Sequence, residues 1–248
     1  MKILTIINNA GSDFIPQYFG KYEPVKMKYD INNLDGVIEL FLNESENKER
    51  RNASPPHEEG RLLLEKKRGH KVSSTISWKK NNYADFNYLS FSMGVDWMQD
   101  SSNFNRFFEL SKQLITTLDL VQGNIQNQSI PYKSDPRDLK LIHPRLHWMN
   151  FFGPPYIELF GKEKLLSCPC FKMIEISDQV IALQLTEDLF EPIPEELKTA
   201  VKLHLGVDAF LEEGLTLRHY KDKTTLVPDF DFSQVLFDST KPIENRTM

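Results

Sequence analysis

The stretch HWMNFFGPPYIELFG, residues 147–161, decides how the second half of the chain is read. It places a Trp, three Phe, two Pro and two Gly within fifteen residues. In an extended reading, Leu146, Trp148, Asn150 and Phe152 share one face, and His147, Met149 and Phe151 share the other. Both faces are largely apolar, as expected of a central strand covered on two sides. Asn150 is the odd member, because a buried amide needs hydrogen-bond partners. Gly153 then turns the chain, and Pro154-Pro155 opens a helix, since proline is tolerated in the first turn. The helix continues through YIELFGKEKLLS with an interruption at Gly161. Trp148, Asn150, Gly153, Pro154, Pro155 and Tyr156 therefore read as a structural strand-turn-helix motif with Trp148 in the core.

Downstream, FKMIEISDQVIALQLT reads as a β-hairpin turning at Ser177-Asp178-Gln179. IPEELKTAVKLHLG reads as a helix, with Glu195 and Glu196 near its positive end and Leu197, Ala200, Val201, His204 and Leu205 on one face. VPDFDFSQVLF, near the C-terminus, reads as an edge strand. Upstream, RLLLEKKRGHKVSSTISWKK is a second hairpin with Arg68-Gly69 at its turn. FNYLSFSMGVDW is a strand. A long helix follows, capped at Asp100, Ser101 or Ser102, striped by Phe104, Phe107, Phe108, Leu114, Ile115, Leu118 and Val121, and stopped at Gly123. The first 36 residues read as a strand and irregular structure, and VIELFLNE from Val37 as another strand. Residues 45–60, SENKERRNASPPHEEG, are charged, carry Pro55-Pro56 and show no apolar period, so a flexible loop is expected there.

The order of these elements predicts an α+β protein with mainly antiparallel sheet and helices packed on one side. A single compact domain, 1–248, is expected. The polar, proline-bearing NQSIPYKSDPRD leaves room for a subdivision into similar sheet-plus-helix halves, 1–128 and 136–248.

The chain has 248 residues, is 40% hydrophobic and carries a net charge of −5, which supplies a core and a soluble surface. The one basic cluster, KKRGHK, reads as a solvated hairpin end, so no nucleic-acid partner is expected. No apolar run reaches the ~18 residues of a membrane span, and the N-terminal run is short for a secretory signal. A cytoplasmic location is the expectation, with the sequons beginning at Asn43, Asn52, Asn127 and Asn245 read as chance matches.

Catalytic motifs of the Walker, GxGxxG, HExxH and GxSxG types are missing. His143 and His147 would lie about 13 Å apart on a strand, too far to share a metal. His204 reads as semi-buried and His219 as exposed. The carboxylate pairs Glu58/Glu59, Glu195/Glu196, Glu212/Glu213 and Asp229/Asp231 lie in polar surroundings that do not favour acid catalysis. Cys168 and Cys170, in SCPCF, could chelate a metal or close a local disulfide, but read first as structural thiols flanking a turn. No metal or cofactor is expected.

The pattern W-x-N-F-F-G-P-x-Y at residues 148–156, G-x-E-K-L at 161–165 and L-G-x-D-x-F at 205–210 resembles bacterial proteins grouped with the immunity proteins of polymorphic toxin systems. The resemblance covers roughly residues 145–211. It implies a non-catalytic cytoplasmic protein that binds and neutralises a cognate toxin, and it carries over no binding residues. The acidic balance suits a basic partner, with Glu58, Glu59, Glu212 and Glu213 as the candidate steering surface. The competing reading is a hydrolase-type enzyme whose histidines and carboxylates meet only in the fold.

Overall fold

The computed structural model describes residues 2–53, 56–81, 85–130, 138–212 and 214–236. It is an α+β protein with two antiparallel sheets. The chain divides into two compact units, one of residues 1–110 joined by the chain from 231 onward, the other of residues 111–230. The expected division at 128/136 is thus displaced. The polar connection around it lies largely outside the described residues. The first boundary instead falls inside a helix whose Phe107 ring packs 6.3 Å from Phe91 of the first unit. The second falls where Phe232 packs on Phe86 and Asn81 N–H donates to the Val235 carbonyl.

In the first unit, the five-stranded sheet runs β2 (Met27–Lys28), β1 (Tyr18–Gly20), β3 (His57–Lys66), β4 (Val72–Asn81), β5 (Tyr88–Met93). The β3–β4 hairpin pairs His57 with Asn81 and Lys66 with Val72, and Gly69 at its turn has a φ of 82°. A side chain is rarely found in that conformation, which is why glycine marks the turn. Two stretches read as strands are helices: α1 (Lys2–Asn9) and α2 (Asp35–Leu42). Leu4 and Ile7 of α1 are buried three residues apart, and Val37 of α2 is buried one turn before the half-buried Phe41. Short apolar runs fit either period, and here helical spacing matches the side chains that find cover.

Residues 45–60, expected to be a loop, are mostly regular structure. Helix α3 (Glu44–Arg51) follows α2 through Asn43, whose φ of 51° ends one helix and starts the next. Glu44 and Glu46 lie in its first turn and Lys48, Arg50 and Arg51 in its last, the arrangement the helix dipole favours. Strand β3 then begins at His57. Pro55 lies outside the described residues.

Helix α4 (Val95–Met98) leads into α5 (Ser101–Thr117). The Asp100 carboxylate accepts from the N–H groups of Ser102 and Asn103, the expected cap. The Ser102 hydroxyl donates to the same carboxylate at 2.6 Å, and this bond, with the two from the backbone, holds the carboxyl below the usual range. Phe107, Leu110 and Leu114 form the buried stripe. The helix ends before Asp119, at positive φ, and Gly123 lies within the next strand rather than stopping the helix.

In the second unit, the four-stranded sheet runs β6 (Gln122–Ile125), β7 (Met149–Phe152), β9 (Val180–Gln184), β8 (Lys172–Ser177). Helices α6 (Pro154–Phe160), α7 (Lys162–Leu166) and α8 (Glu195–Leu205) contribute Tyr156, Phe160, Leu165, Val201 and Leu205 to one core with Phe152, Ile181 and Leu183 of the sheet. The C-terminal stretch read as an edge strand forms no strand among the described residues, only a single bridge between Leu236 and Asn81. No helix among the described residues is long and apolar enough to cross a membrane.

Candidate functional site

The Gly-Pro-Pro corner is a packing device. All four residues of β7 are buried, as its interior place in the sheet requires. Trp148 is 5% exposed and belongs to the core. The strand is shorter than its apolar pattern because Asn150 folds back. Its Oδ1 accepts from His147 N–H at 2.9 Å and its Nδ2 donates to His147 O at 2.8 Å. Both ends of the fully buried amide are thereby satisfied, and Trp148 O still accepts from Leu185 N–H at 2.8 Å. Gly153 donates its N–H to Val121 O at 3.0 Å, and a β-carbon there would collide with the Leu120 carbonyl oxygen. Pro154 and Pro155 begin α6, and Gly161, with a φ of 84°, separates α6 from α7.

Residues 148–156, 161–165 and 205–210 meet in one structure. Phe152, Tyr156 and Phe160, Leu165, and Leu205, Ala209 and Phe210 share a single core. Polar bonds join the segments too. Lys164 Nζ donates to Leu205 O at the end of α8, where a cation suits the helix dipole. His204 Nε2 lies 2.8 Å from Lys164 O, so the semi-buried histidine is a tether between α7 and α8.

His143 is buried, with ring centroids of Tyr156, Phe210 and Phe152 at 5.1, 5.2 and 5.5 Å. Its Nδ1 is 2.8 Å from Pro144 O, which places a proton on Nδ1. Its backbone bridges to the Phe210 segment through Ala209 O and Leu211 N–H. The Tyr156 hydroxyl, also buried, has no hydrogen-bond partner among the described residues, and burial pushes its pKa up. His219 lies elsewhere on the unit, with Nδ1 accepting from Thr216 N–H at 3.0 Å. Asp229 is exposed. The side chains that an enzyme reading would gather are thus employed separately. Among the described residues, no three His, Cys, Asp or Glu side chains form a group that could hold a metal.

The acidic candidates are divided between the two units. Glu58 and Glu59 belong to the first unit and Glu212 to the second, while Glu213 lies outside the described residues. Glu58 pairs with Arg51, and Glu59 with Arg50 at 2.5 Å. Asn47, buried on α3, donates to Leu42 O at 2.6 Å and accepts from Glu59 N–H at 3.1 Å. Glu46 receives Lys21 and Asn43 at 2.8 Å each, and these bonds hold its carboxyl below the usual range. Glu58 and Glu59 therefore fasten α3 to β3. Both carboxylates, candidates for steering a basic partner, are thus paired with neighbouring arginines. Glu212 is more open, 63% exposed, with Lys223 at 3.4 Å.

The basic hairpin end is likewise anchored at its base. Lys66 Nζ donates to Ser12 O and Asp13 O, and Lys67 Nζ to Val25 O. His70 stacks on Trp97 at 5.0 Å and its Nε2 lies 2.8 Å from Asp13 O. Arg106 pairs with the Asp13 carboxylate at 2.6 Å and holds it below the usual range. Nothing in composition announced this cluster, because its members are distant in sequence and meet through the β3–β4 hairpin and α5.

No protein-family model matches the chain, and neither curated proteins nor solved structures yield a match.

Proposed function

We propose that the chain is a non-catalytic binding protein of the immunity type, which neutralises a cognate toxin, with the cytoplasm as its place of action. The observation that carries this reading is that the three segments of the resemblance, 148–156, 161–165 and 205–210, share one core and are cross-linked by Lys164 and His204. The reading is further supported by His143, His219, Glu58 and Glu59, each of which has a structural partner.

The partner is a protein, and a basic one suits the net charge of −5. Its contact surface excludes the buried stripes of α5 and α8, which cover their own units. Glu212 remains the acidic candidate best placed to meet it.

The test is co-expression with the product of the gene immediately upstream. Restored growth together with a stable complex supports the reading. Failure of both, with the two proteins expressed and folded and the upstream product toxic, overturns it. Glu212→Lys is expected to slow association and reduce its salt dependence while leaving the unfolding curve in place.

A further inference from the structure

Cys168 and Cys170 flank Pro169 between α7 and β8, and neither is in a disulfide. Cys170 N–H donates to Cys168 O at 2.8 Å, which closes a three-residue turn around the proline. Such a turn draws the two α-carbons together, to roughly the 4.4–6.8 Å that a disulfide spans. The thiols are unlike in access. Cys168 is buried in the core of the second unit, while Cys170 packs at the edge of that core and is half-buried, its Sγ 3.6 Å from Lys172 O. A reagent arriving from solvent meets Cys170 first, with Cys168 waiting behind it.

We propose that Cys170 and Cys168 form an exchange-active dithiol that reacts with low-molecular-weight disulfides of the glutathione class, Cys170 attacking and Cys168 resolving. The site stands apart from the toxin-binding reading and does not depend on it. The pull of each thiol on its neighbour agrees with these roles: it lowers the pKa of Cys170 and, together with burial, raises that of Cys168. The thiolate is the attacking form, so the accessible sulfur is also the activated one.

In the first step the Cys170 thiolate attacks one sulfur of the external disulfide. A mixed disulfide forms on Cys170 and one thiolate leaves. In the second step Cys168 yields its proton to the departed thiolate, and its sulfur attacks Sγ of Cys170. The second external thiolate leaves and takes up the proton that Cys170 lost at the start. The Cys168–Cys170 pair has then lost two hydrogens and two electrons, and the external disulfide has become two thiols.

The full-length protein is incubated under native conditions with oxidised glutathione, quenched by alkylation, and read by mass spectrometry. The expected product is the internal disulfide, two hydrogens lighter and carrying no glutathione. Cys168→Ser is expected to retain one glutathione on Cys170, and Cys170→Ser to stay unmodified until denatured. In the untreated wild type, Cys170 is expected to alkylate about tenfold faster than Cys168. This comparison decides the roles without relying on a variant that must fold. Two unreacted thiols, two separate glutathione adducts, or faster alkylation at Cys168 would each overturn the proposal.

Discussion

Residues 147–161 and residues 45–60 make opposite use of nearly the same length of chain. The first is rich in aromatic and apolar side chains, and its structure comes from burial: β7 is covered, Gly153 admits the Leu120 carbonyl, and α6 lays Tyr156 and Phe160 into the core. The second has almost no apolar side chain to bury. It is ordered by a charge-complemented helix, a buried amide and ion pairs to the neighbouring strand. An apolar period is therefore sufficient for order but not required for it. Polar order depends instead on partners far away in sequence, or across a turn.

The sharpest way to break this comparison is to excise residues 45–60. The cut removes all but the first residue of α3 and the first four residues of β3, an interior strand of its sheet. The first unit is expected to lose cooperative unfolding in thermal melts followed by circular dichroism. A midpoint unchanged by the excision would mean that the polar segment only decorates the sheet. Next in size is Trp148→Ala, which empties a nearly fully buried site and should cost about 3–5 kcal/mol in denaturant unfolding. Near-native stability with lost partner binding would make this stretch an interface.

Gly153→Ala tests the corner itself. The new methyl group meets a backbone carbonyl that cannot step aside as a flexible side chain would, so a loss of about 3 kcal/mol is expected. A crystal structure of a stable variant with the corner unmoved would refute the close approach. In the polar segment, Asn47→Ala leaves Leu42 O and Glu59 N–H without their side-chain partner and should cost about 1–3 kcal/mol. A loss within error would show that the ion pairs hold α3 unaided. The smallest effect is expected from Glu58→Gln with Glu59→Gln. Partly exposed ion pairs contribute about 1 kcal/mol or less each, and the loss should shrink with added salt. A salt-independent loss would point to packing by the glutamate stems.

Some elements were legible because their signals are local. The β3–β4 and β8–β9 hairpins, the Asp100 cap, the Pro154 helix start and the break at Gly161 each rest on residues within one turn or one strand pair. The misread elements had locally ambiguous signals. ILTII and VIELFL satisfy a strand run and a helical face equally well, and only the available cover chose the helix for Leu4, Ile7 and Val37. The candidate site divided the same way. Trp148, Asn150, Gly153 and the two prolines could be given structural roles from their types alone, whereas the fate of Glu58 and Glu59 depended on where α3 placed Arg50 and Arg51.

The sequence by itself determined the α+β class, the antiparallel hairpins, the Gly-Pro-Pro corner and the thiol pair around Pro169, since these follow from short-range period, turn chemistry and spacing. Only the tertiary structure decided that the chain parts inside α5, that residues 231–236 return to the first unit, and that the acidic pair of β3 faces arginines. Those outcomes depend on contacts between residues far apart in the chain. A charge reads the same in sequence whether it faces solvent or a guanidinium, and only the fold distinguishes the two.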